Sequence, residues 1–373
     1  MFDVAIIGAG VNGTAMAHEL SQHYKNIALF DKDGIAQGGS GAAGAFVSPK
    51  FSKEGELKEL LHEAFLYSID FYEKNFPKHL NKSQLIHIAK DEKDAKNLRA
   101  YKKNTSLKLL NVDDEKLKEI TQEARTQERV SLEAGLVDAS AMCHALAKDA
   151  RLIKEDVQTV FFDNGLWTIN DTYNAKILIL ATGAYKSIVD EAYLKIRGIW
   201  GHRIDIKTST QNNATLHQFV SISTTQEGQL SIGATHDVHF HPQTTQEPYN
   251  IEQGRKELLE KASKTLHLKD VEILKDYTGL RSGSSDYMPL IGKVVLSSQS
   301  MQLPRRDLEM KKMDFEALSY YPNLYMINGS SGYGFVLAPF LAKSLSALIV
   351  DGKKVSERLI PARYFSRWAK KNL

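Results

Sequence analysis

Asp3-Val4-Ala5-Ile6-Ile7-Gly8-Ala9-Gly10-Val11-Asn12-Gly13 is followed by an apolar-periodic run through Ala15, Ala17 and Leu20, and then by Ile27-Ala28-Leu29-Phe30-Asp31. The first apolar run has the length and branching of a strand buried on both faces. Gly8, Gly10 and Gly13 supply G-x-G-x-x-G between that strand and a helix. Gly8 allows the tight turn, Gly10 lets a pyrophosphate approach the backbone, and Gly13 lets the helix pack close to the strand. The helix N-terminus offers unpaired N–H groups and the positive end of its dipole. Asp31 ends a second strand at the distance where an acid meets a ribose hydroxyl, which favours FAD or NAD over NADP. The glycines alone would be a weak signal; their place between strand, helix and acid makes a dinucleotide site the expectation.

The 373 residues are enough for two domains, or for one large domain with a lobe. Hydrophobic residues at 42% and charged residues at 25% fit a globular protein. A net charge of +3 permits a polyanionic partner without demanding one. Cys143 is the single cysteine, so an intrachain disulfide is excluded and a reducing, cytoplasmic setting is expected. No basic n-region precedes the first strand, so no signal peptide is expected. The longest apolar run, Gly334 to Val350, is interrupted by Pro339 and Lys343. It reads as a core helix falling short of a bilayer span, and no membrane partner is expected.

After Asp31 the small residues Gly38, Gly39, Ser40, Gly41, Ala42, Ala43 and Gly44 form a loop that returns from the ribose-binding strand. Such residues let backbone approach a ligand, and Ser40 adds a hydroxyl. Glu54 to Lys74 has helical apolar spacing, as does Ala139 to Ala150. Val157 to Val160 and Leu166 to Ile169 read as a hairpin around Asp163-Asn164-Gly165. Ala175 to Ala184 reads as a buried strand ending in Ala181-Thr182-Gly183, at a sheet edge where ligands bind. Strand-like text fills Gly198 to Leu280 around one helix near Asn250 to Leu266. The expected fold is α/β: a Rossmann-like dinucleotide domain of discontinuous segments (1–50, 135–197 and 285–373), plus a substrate lobe (51–134 and 198–284) with a mainly antiparallel sheet and helices.

Several stretches together resemble the D-amino-acid oxidase and glycine oxidase superfamily of FAD-dependent amine oxidoreductases. They are Ile6 to Gly13, Leu180-Ala181-Thr182-Gly183-Ala184, Gly279-Leu280-Arg281-Ser282-Gly283 through Gly292, and Asn328-Gly329-Ser330-Ser331-Gly332-Tyr333-Gly334 through Pro339. Within it, Ser40 to Ser52, Ser231-Ile232-Gly233-Ala234-Thr235 and Pro361 to Arg367 are similar to the oxidase half of the bifunctional MnmC family, which oxidises a carboxymethylaminomethyl group on a tRNA wobble uridine. The chain departs from that family in having Ala42 where it tends to have Asn. No methyltransferase half precedes the first strand, so the resemblance implies the oxidative step alone and a separate methyltransferase acting next.

The resemblance implies FAD, held by Gly8, Gly10, Val11, Asn12, Gly13, Asp31, Lys32, Gly39, Ser40, Ala43, Gly44, Ala181, Thr182, Gly183, Gly329, Ser330, Ser331, Gly332, Tyr333 and Gly334. A secondary amine bearing a glycine-like carboxylate needs a cation to orient it. Arg281 suits that role, because a guanidinium grips a carboxylate bidentately and keeps its charge in a dry pocket. The competing expectation is a salt bridge from Arg281 to Asp286. Tyr287 and Tyr333 are candidates for the flavin face, although aromatic residues more often pack. The Gly329 to Gly334 loop, running into an apolar helix, would stabilise negative charge with its N–H groups. No acid–base residue stands out.

His236, His239 and His241 form a cluster in which the last two would share a strand face. No fourth ligand is evident, so no metal is expected. Arg305, Arg306, Lys311 and Lys312 form one basic group; Arg358, Arg363, Arg367, Lys370 and Lys371 form another. These groups would meet tRNA phosphates or stand as solvated faces. Two other functions fit the same text: an oxidase or dehydrogenase of free glycine, sarcosine or D-amino acids, and a non-catalytic nucleotide-binding protein. A single G-x-G-x-x-G argues against an NADPH-driven reductase.

Overall fold

The computed structural model describes residues 1–185 and 187–373, with the backbone alone at Asp114. Phe2–Ile7 forms the central strand of the first sheet, pairing in parallel with Ile27–Phe30 on one side and with Tyr173–Leu180 on the other. Its alternate side chains enter two cores, Val4 and Ile6 in one and Ala5 and Ile7 in the other. This two-sided burial is why the run is apolar without interruption, each fully buried Ile contributing roughly 1.5–3 kcal/mol. The sheet continues through Arg151–Ile153 at one end and through Tyr320–Asn328 and Leu290–Val295 at the other. Five strands run parallel, and Leu290–Val295 is antiparallel at the edge. The hairpin Val160–Asp163 and Leu166–Ile169 joins the lower half of Tyr173–Leu180. Asn164 and Gly165 both have positive φ, 49° and 80°, as a two-residue hairpin turn requires.

The helix Gly334–Asp351 packs against Val11–Ser21 and Glu56–Asn75. With the turn before it, this segment spans 21 residues and is apolar enough to cross a bilayer, so the expectation that it falls short is corrected. In the fold it is a core helix: Phe335, Val336, Leu337, Leu341, Ala342 and Leu345 are buried against the parallel sheet's helices. Pro339 cannot donate to the carbonyl of Phe335 four residues earlier. The hydroxyl of Tyr72 donates to that oxygen instead, at 2.9 Å, and Ser68 Oγ donates to the carbonyl of Val336 at 2.7 Å. Helix Glu56–Asn75 thereby satisfies what the proline leaves open.

The second sheet runs Glu272–Ser284, Ile196–Lys207, Gln229–Gly233, Ser221–Ile222, Thr215–His217, Leu80–Ile88, Arg129–Val137 and Phe46–Val47. It is antiparallel except where Thr215–His217 meets Leu80–Ile88. Helix Ile251–Ser263 covers one face, with Leu258 and Ala262 packed among Ile204, Ile206 and Ile232. The molecule is thus mixed α/β, as expected, with one mainly parallel and one mainly antiparallel sheet. The helix expected over Ala139 to Ala150 ends at Leu146.

Candidate cofactor and substrate site

The glycines are spaced by contacts that leave no room for a side chain. A Cβ on Gly8, whose φ is +105°, would lie 2.3 Å from the carbonyl oxygen of Ala181. On Gly13 it would lie 1.9 Å from the carbonyl oxygen of Gly8. Gly10 differs: its nearest neighbour would be Ser40 Oγ at 3.0 Å, and nothing else comes within 3.8 Å, so this side of the turn is open. Helix Val11–Ser21 has no side-chain cap from Gly10. Ser40 Oγ accepts the Val11 N–H at 2.9 Å, tying the small-residue loop to the helix start. An open glycine turn at a helix N-terminus fits a pyrophosphate.

The other segments converge there. Asp31 accepts the Ala9 N–H through Oδ2 at 2.9 Å and the Asp33 and Gly34 N–H groups through Oδ1 at 3.0 and 3.1 Å. Its carboxylate is therefore fastened to the glycine turn. Lys32 is exposed and pairs with Asp33 at 3.6 Å. Ala181 donates its N–H to Ile7, and Asn328 Nδ2 donates to the carbonyl of Gly183 at 2.9 Å. Asn328 Oδ1 in turn accepts the Gly329 N–H at 2.8 Å. Gly329 and Ser331 both have positive φ, and Ser330 Oγ donates to Asn12 Oδ1 at 3.1 Å. Gly334 opens the apolar helix 3.1 Å, measured from a hypothetical Cβ, from Val11 Cγ1. Residues distant in sequence thus surround the turn; Ala43 and Gly44 lead from it to the short strand Phe46–Val47, while Thr182, Gly332 and Tyr333 belong to the same converging segments.

The second sheet presents one face to these segments. Gly39 packs on the carbonyl of Leu280, which a Cβ would meet at 2.4 Å, and a Cβ on Gly279 would meet Ala42 Cβ at 2.9 Å. Gly283 bridges to Ser330. Odd-numbered residues of Glu272–Ser284 near here share a face, so Arg281 turns with Gly279 and Gly283 toward the cofactor segments. Its Nη1 donates to the carbonyl of Thr235 at 3.1 Å. Burial lowers its pKa from the usual guanidinium value. Arg281 makes no ion pair with Asp286: that carboxylate is held by Arg363, whose Nε and Nη2 donate to it at 3.1 Å, and by the Tyr364 hydroxyl at 2.6 Å. Burial would raise the Asp286 pKa, but these hydrogen bonds and the Arg363 charge hold it at about 2.

The remaining candidates separate. Tyr333 lies beside Lys50, whose Nζ donates to its hydroxyl at 3.4 Å and stands 5.5 Å from its ring centre. Tyr287 sits on a turn with φ +64° and is 66% exposed. His239 and His241 lie in a loop and not on a common strand face, because the chain leaves the sheet after Asp237. Among the described residues no group of three or more His, Cys, Asp or Glu side chains is arranged to hold a metal ion. The basic groups are largely engaged: Arg305 with Glu309, Arg306 with Asp307, Lys312 with Glu357, Arg358 with Glu56, and Arg363 and Arg367 with Asp286. A cavity of about 520 Å³, lined by Phe240, Tyr249, Gln253 and Gly254, lies by helix Ile251–Ser263 and away from the glycine turn.

Four residues here have no cofactor or substrate contact assigned from the sequence: Tyr185 lies outside every motif, Asn328 and Lys50 stand in the family-like stretches, and His236 in the histidine cluster. Tyr185 accepts the Leu280 N–H at 3.0 Å through its hydroxyl, joining the Ala181–Gly183 turn to the Arg281 strand. Asn328, Lys50 and His236 reach the region only through pairings across the fold. For Tyr185 the one available signal was its place two residues after Gly183.

Comparison with known proteins agrees with this geometry. The family described as DAO, FAD dependent oxidoreductase, matches residues 3–348. The "tRNA 5-methylaminomethyl-2-thiouridine biosynthesis bifunctional protein MnmC" of Legionella pneumophila (strain Lens) is 23% identical over 97% of this chain and 57% of its own length. The protein of that name from Campylobacter jejuni subsp. doylei is 24% identical over 99% of this chain and 60% of its own. The chain therefore spans about three-fifths of the length of these relatives. Glycine oxidase from Geobacillus kaustophilus superposes with a TM-score of 0.74 at 20% identity, over 95% of this chain and 96% of that one. L-proline dehydrogenase from P. horikoshii superposes with 0.73 at 16% identity, over 97% of each. With the family matched over nearly its whole length and a glycine turn shaped for a dinucleotide, the chain belongs to the DAO family of FAD dependent oxidoreductases.

Proposed function

We propose that this protein oxidises the carboxymethylaminomethyl group on a tRNA wobble uridine, cleaving a C–N bond through an imine to give the aminomethyl-uridine and glyoxylate. The observation that carries the reading is Arg281: a half-buried guanidinium, free of any ion pair among the described residues, on the sheet face turned to the cofactor segments. A substrate carboxylate would complete it. The tRNA part of the reading is supported by the names of the MnmC relatives, which cover this chain almost completely.

In this reading residues 1–50, 135–197 and 285–373 serve the cofactor, and 51–134 and 198–284 the substrate. Gly10, Val11, Asn12 and Gly13 would hold the pyrophosphate, while Asn12, Gly329, Ser330 and Ser331 would line the isoalloxazine side. FAD held there would supply the hydride acceptor for the carbon beside the amine. The chain's own work is to fix the carboxylate on Arg281, close the site with the loop from Gly39 to Gly44, and hold the amine next to that carbon. The imine is cleaved by water, and a separate methyltransferase would take the aminomethyl product.

The test is tRNA bearing the carboxymethylaminomethyl group, incubated with the FAD-loaded protein and digested for nucleoside mass spectrometry. Aminomethyl-uridine and glyoxylate are expected in equal amounts. Unchanged tRNA, with rapid turnover of free glycine or sarcosine instead, would replace this reading with a free amino-acid oxidase.

A further inference from the structure

Three neighbouring backbone stretches of the second sheet set Gly279, Gly201 and His236 in one row. Gly201 pairs with Gly279 on one side. On the other, Trp200 and Asp237 exchange both backbone hydrogen bonds, at 2.8 and 3.0 Å, and Thr235 donates its N–H to the carbonyl of His202 at 3.0 Å. His236 therefore stands opposite Gly201 in the non-hydrogen-bonded position, where side chains of facing residues share a face and come closest. That face is the one Arg281 occupies. A Cβ on Gly201 would lie 2.4 Å from Arg281 Nη2, so the guanidinium lies over Gly201, and its Nη1 reaches the Thr235 carbonyl next to His236. At the far end of the row, Gly279 abuts Gly39 and Ala42 of the cofactor loop. The two glycines thus let the cofactor loop and the guanidinium lie directly on the sheet, in a row that ends at an imidazole.

We propose that His236 is the proton acceptor for the substrate amine. This rests on the reading that the substrate is a secondary amine carrying a glycine-type carboxylate. With the carboxylate on Arg281, the amine nitrogen is separated from it by one carbon and falls beside the imidazole. The N–H bond of the ammonium breaks, its electron pair stays on nitrogen and its proton joins the free imidazole nitrogen. The nitrogen lone pair then assists departure of a hydride from the adjacent carbon to FAD, the oxidant that the family supplies, leaving a C=N bond. His236 is exposed and returns its proton to solvent.

The surroundings keep the imidazole ready to accept. Partial desolvation, followed by the charge of Arg281, lowers its pKa from the usual histidine value; Asp237 opposes this and Lys261 of the covering helix adds to it. Glu257 of that helix and His239 line the adjoining cavity, and Glu257 is paired with Lys261 at 2.5 Å. A neutral imidazole at pH 7 is what a proton acceptor requires.

The experiment compares wild type, His236→Asn and His236→Gln, all FAD-loaded, by the anaerobic rate of flavin bleaching with a glycine-type secondary amine between about pH 6 and about pH 10. The binding of the corresponding ether, in which oxygen replaces the amine, is measured alongside as a readout independent of turnover. Both variants are expected to bleach about 100-fold more slowly at pH 7 and to recover as pH rises through the amine's own pKa, with ether binding changed by less than about 3-fold. A loss that is equal at every pH, or profiles that superimpose on wild type, would overturn the role of His236 while leaving the amine reading intact. A wild type that no glycine-type secondary amine bleaches would overturn both.

Discussion

Arg281 Nη1 lies 3.1 Å from the carbonyl oxygen of Thr235, and this is the one hydrogen bond the half-buried guanidinium makes among the described residues. Four of its five N–H donors are left for something the chain itself does not provide. Its partial burial, without a charged partner among the described residues, already lowers its pKa. Arg281→Lys keeps the charge and removes the fork. For a carboxylate-bearing amine, loss of a charge-assisted hydrogen bond of roughly 1.5–3 kcal/mol should raise KM by about 10- to 100-fold. Steady-state kinetics of the two proteins provide the check, and an unchanged KM would remove the assignment.

The three N-terminal glycines should fail differently. Gly13→Ala would drive a methyl into the carbonyl of Gly8, so the variant is expected to fold poorly or melt many degrees lower. At Gly10 the backbone φ is −75° and only Ser40 Oγ is near, so Gly10→Ala should keep the fold and lose flavin. Melting temperature of the apoprotein and the ratio of flavin to protein absorbance distinguish these outcomes.

Asp286 ties the Arg281 strand to the C-terminal helix Ala362–Ala369 through Arg363 and Tyr364. Its folded pKa of about 2 lies below the usual aspartate value of 3.8. The sign follows: the stabilisation is fully present above pH 3.8, declines as pH falls toward 2, and is absent below that. A shift of this size corresponds to about 2 kcal/mol. Asp286→Asn should therefore lose about 2 kcal/mol or more at pH 7, since it also leaves Arg363 without its partner. Urea unfolding of both proteins at pH 7 and near pH 3 tests this, the gap between them shrinking at the lower pH.

Cys143 is fully buried beneath Val11–Ser21, and burial pushes its thiol up to about 12. A thiol-specific reagent should leave the native protein unmodified at pH 8 and label one site per chain once urea is added. Labelling of the folded protein at the rate of a small free thiol would show that this helix pair opens readily.

Much of the architecture was legible because it depends on local patterns. An unbroken apolar run bounded by Gly8 and a helix reads as a parallel strand, since burial on both faces leaves no polar alternation to find. The hairpin at Asn164-Gly165 was visible because positive φ at two successive positions narrows the choice of residues. The site was legible only in part. Arg281 could be chosen by its chemistry, yet Asp286 five residues on stood as a competing partner, and only the tertiary structure shows that the C-terminal helix claims it. Tyr287 shares the Arg281 motif and still lands in solvent, because the chain turns outward at a positive φ.

The sequence by itself determined the dinucleotide turn, the strand and helix periods, and the residue types able to grip a carboxylate, all of which follow from backbone sterics and side-chain chemistry within a few residues. The tertiary structure decided which side chains meet. The row of Gly279, Gly201 and His236 depends on the register between segments far apart in sequence, where a one-residue slip would reverse every face. No local pattern encodes that register; it is set by the burial of Ile204, Ile232 and Leu258 on the opposite side of the same sheet.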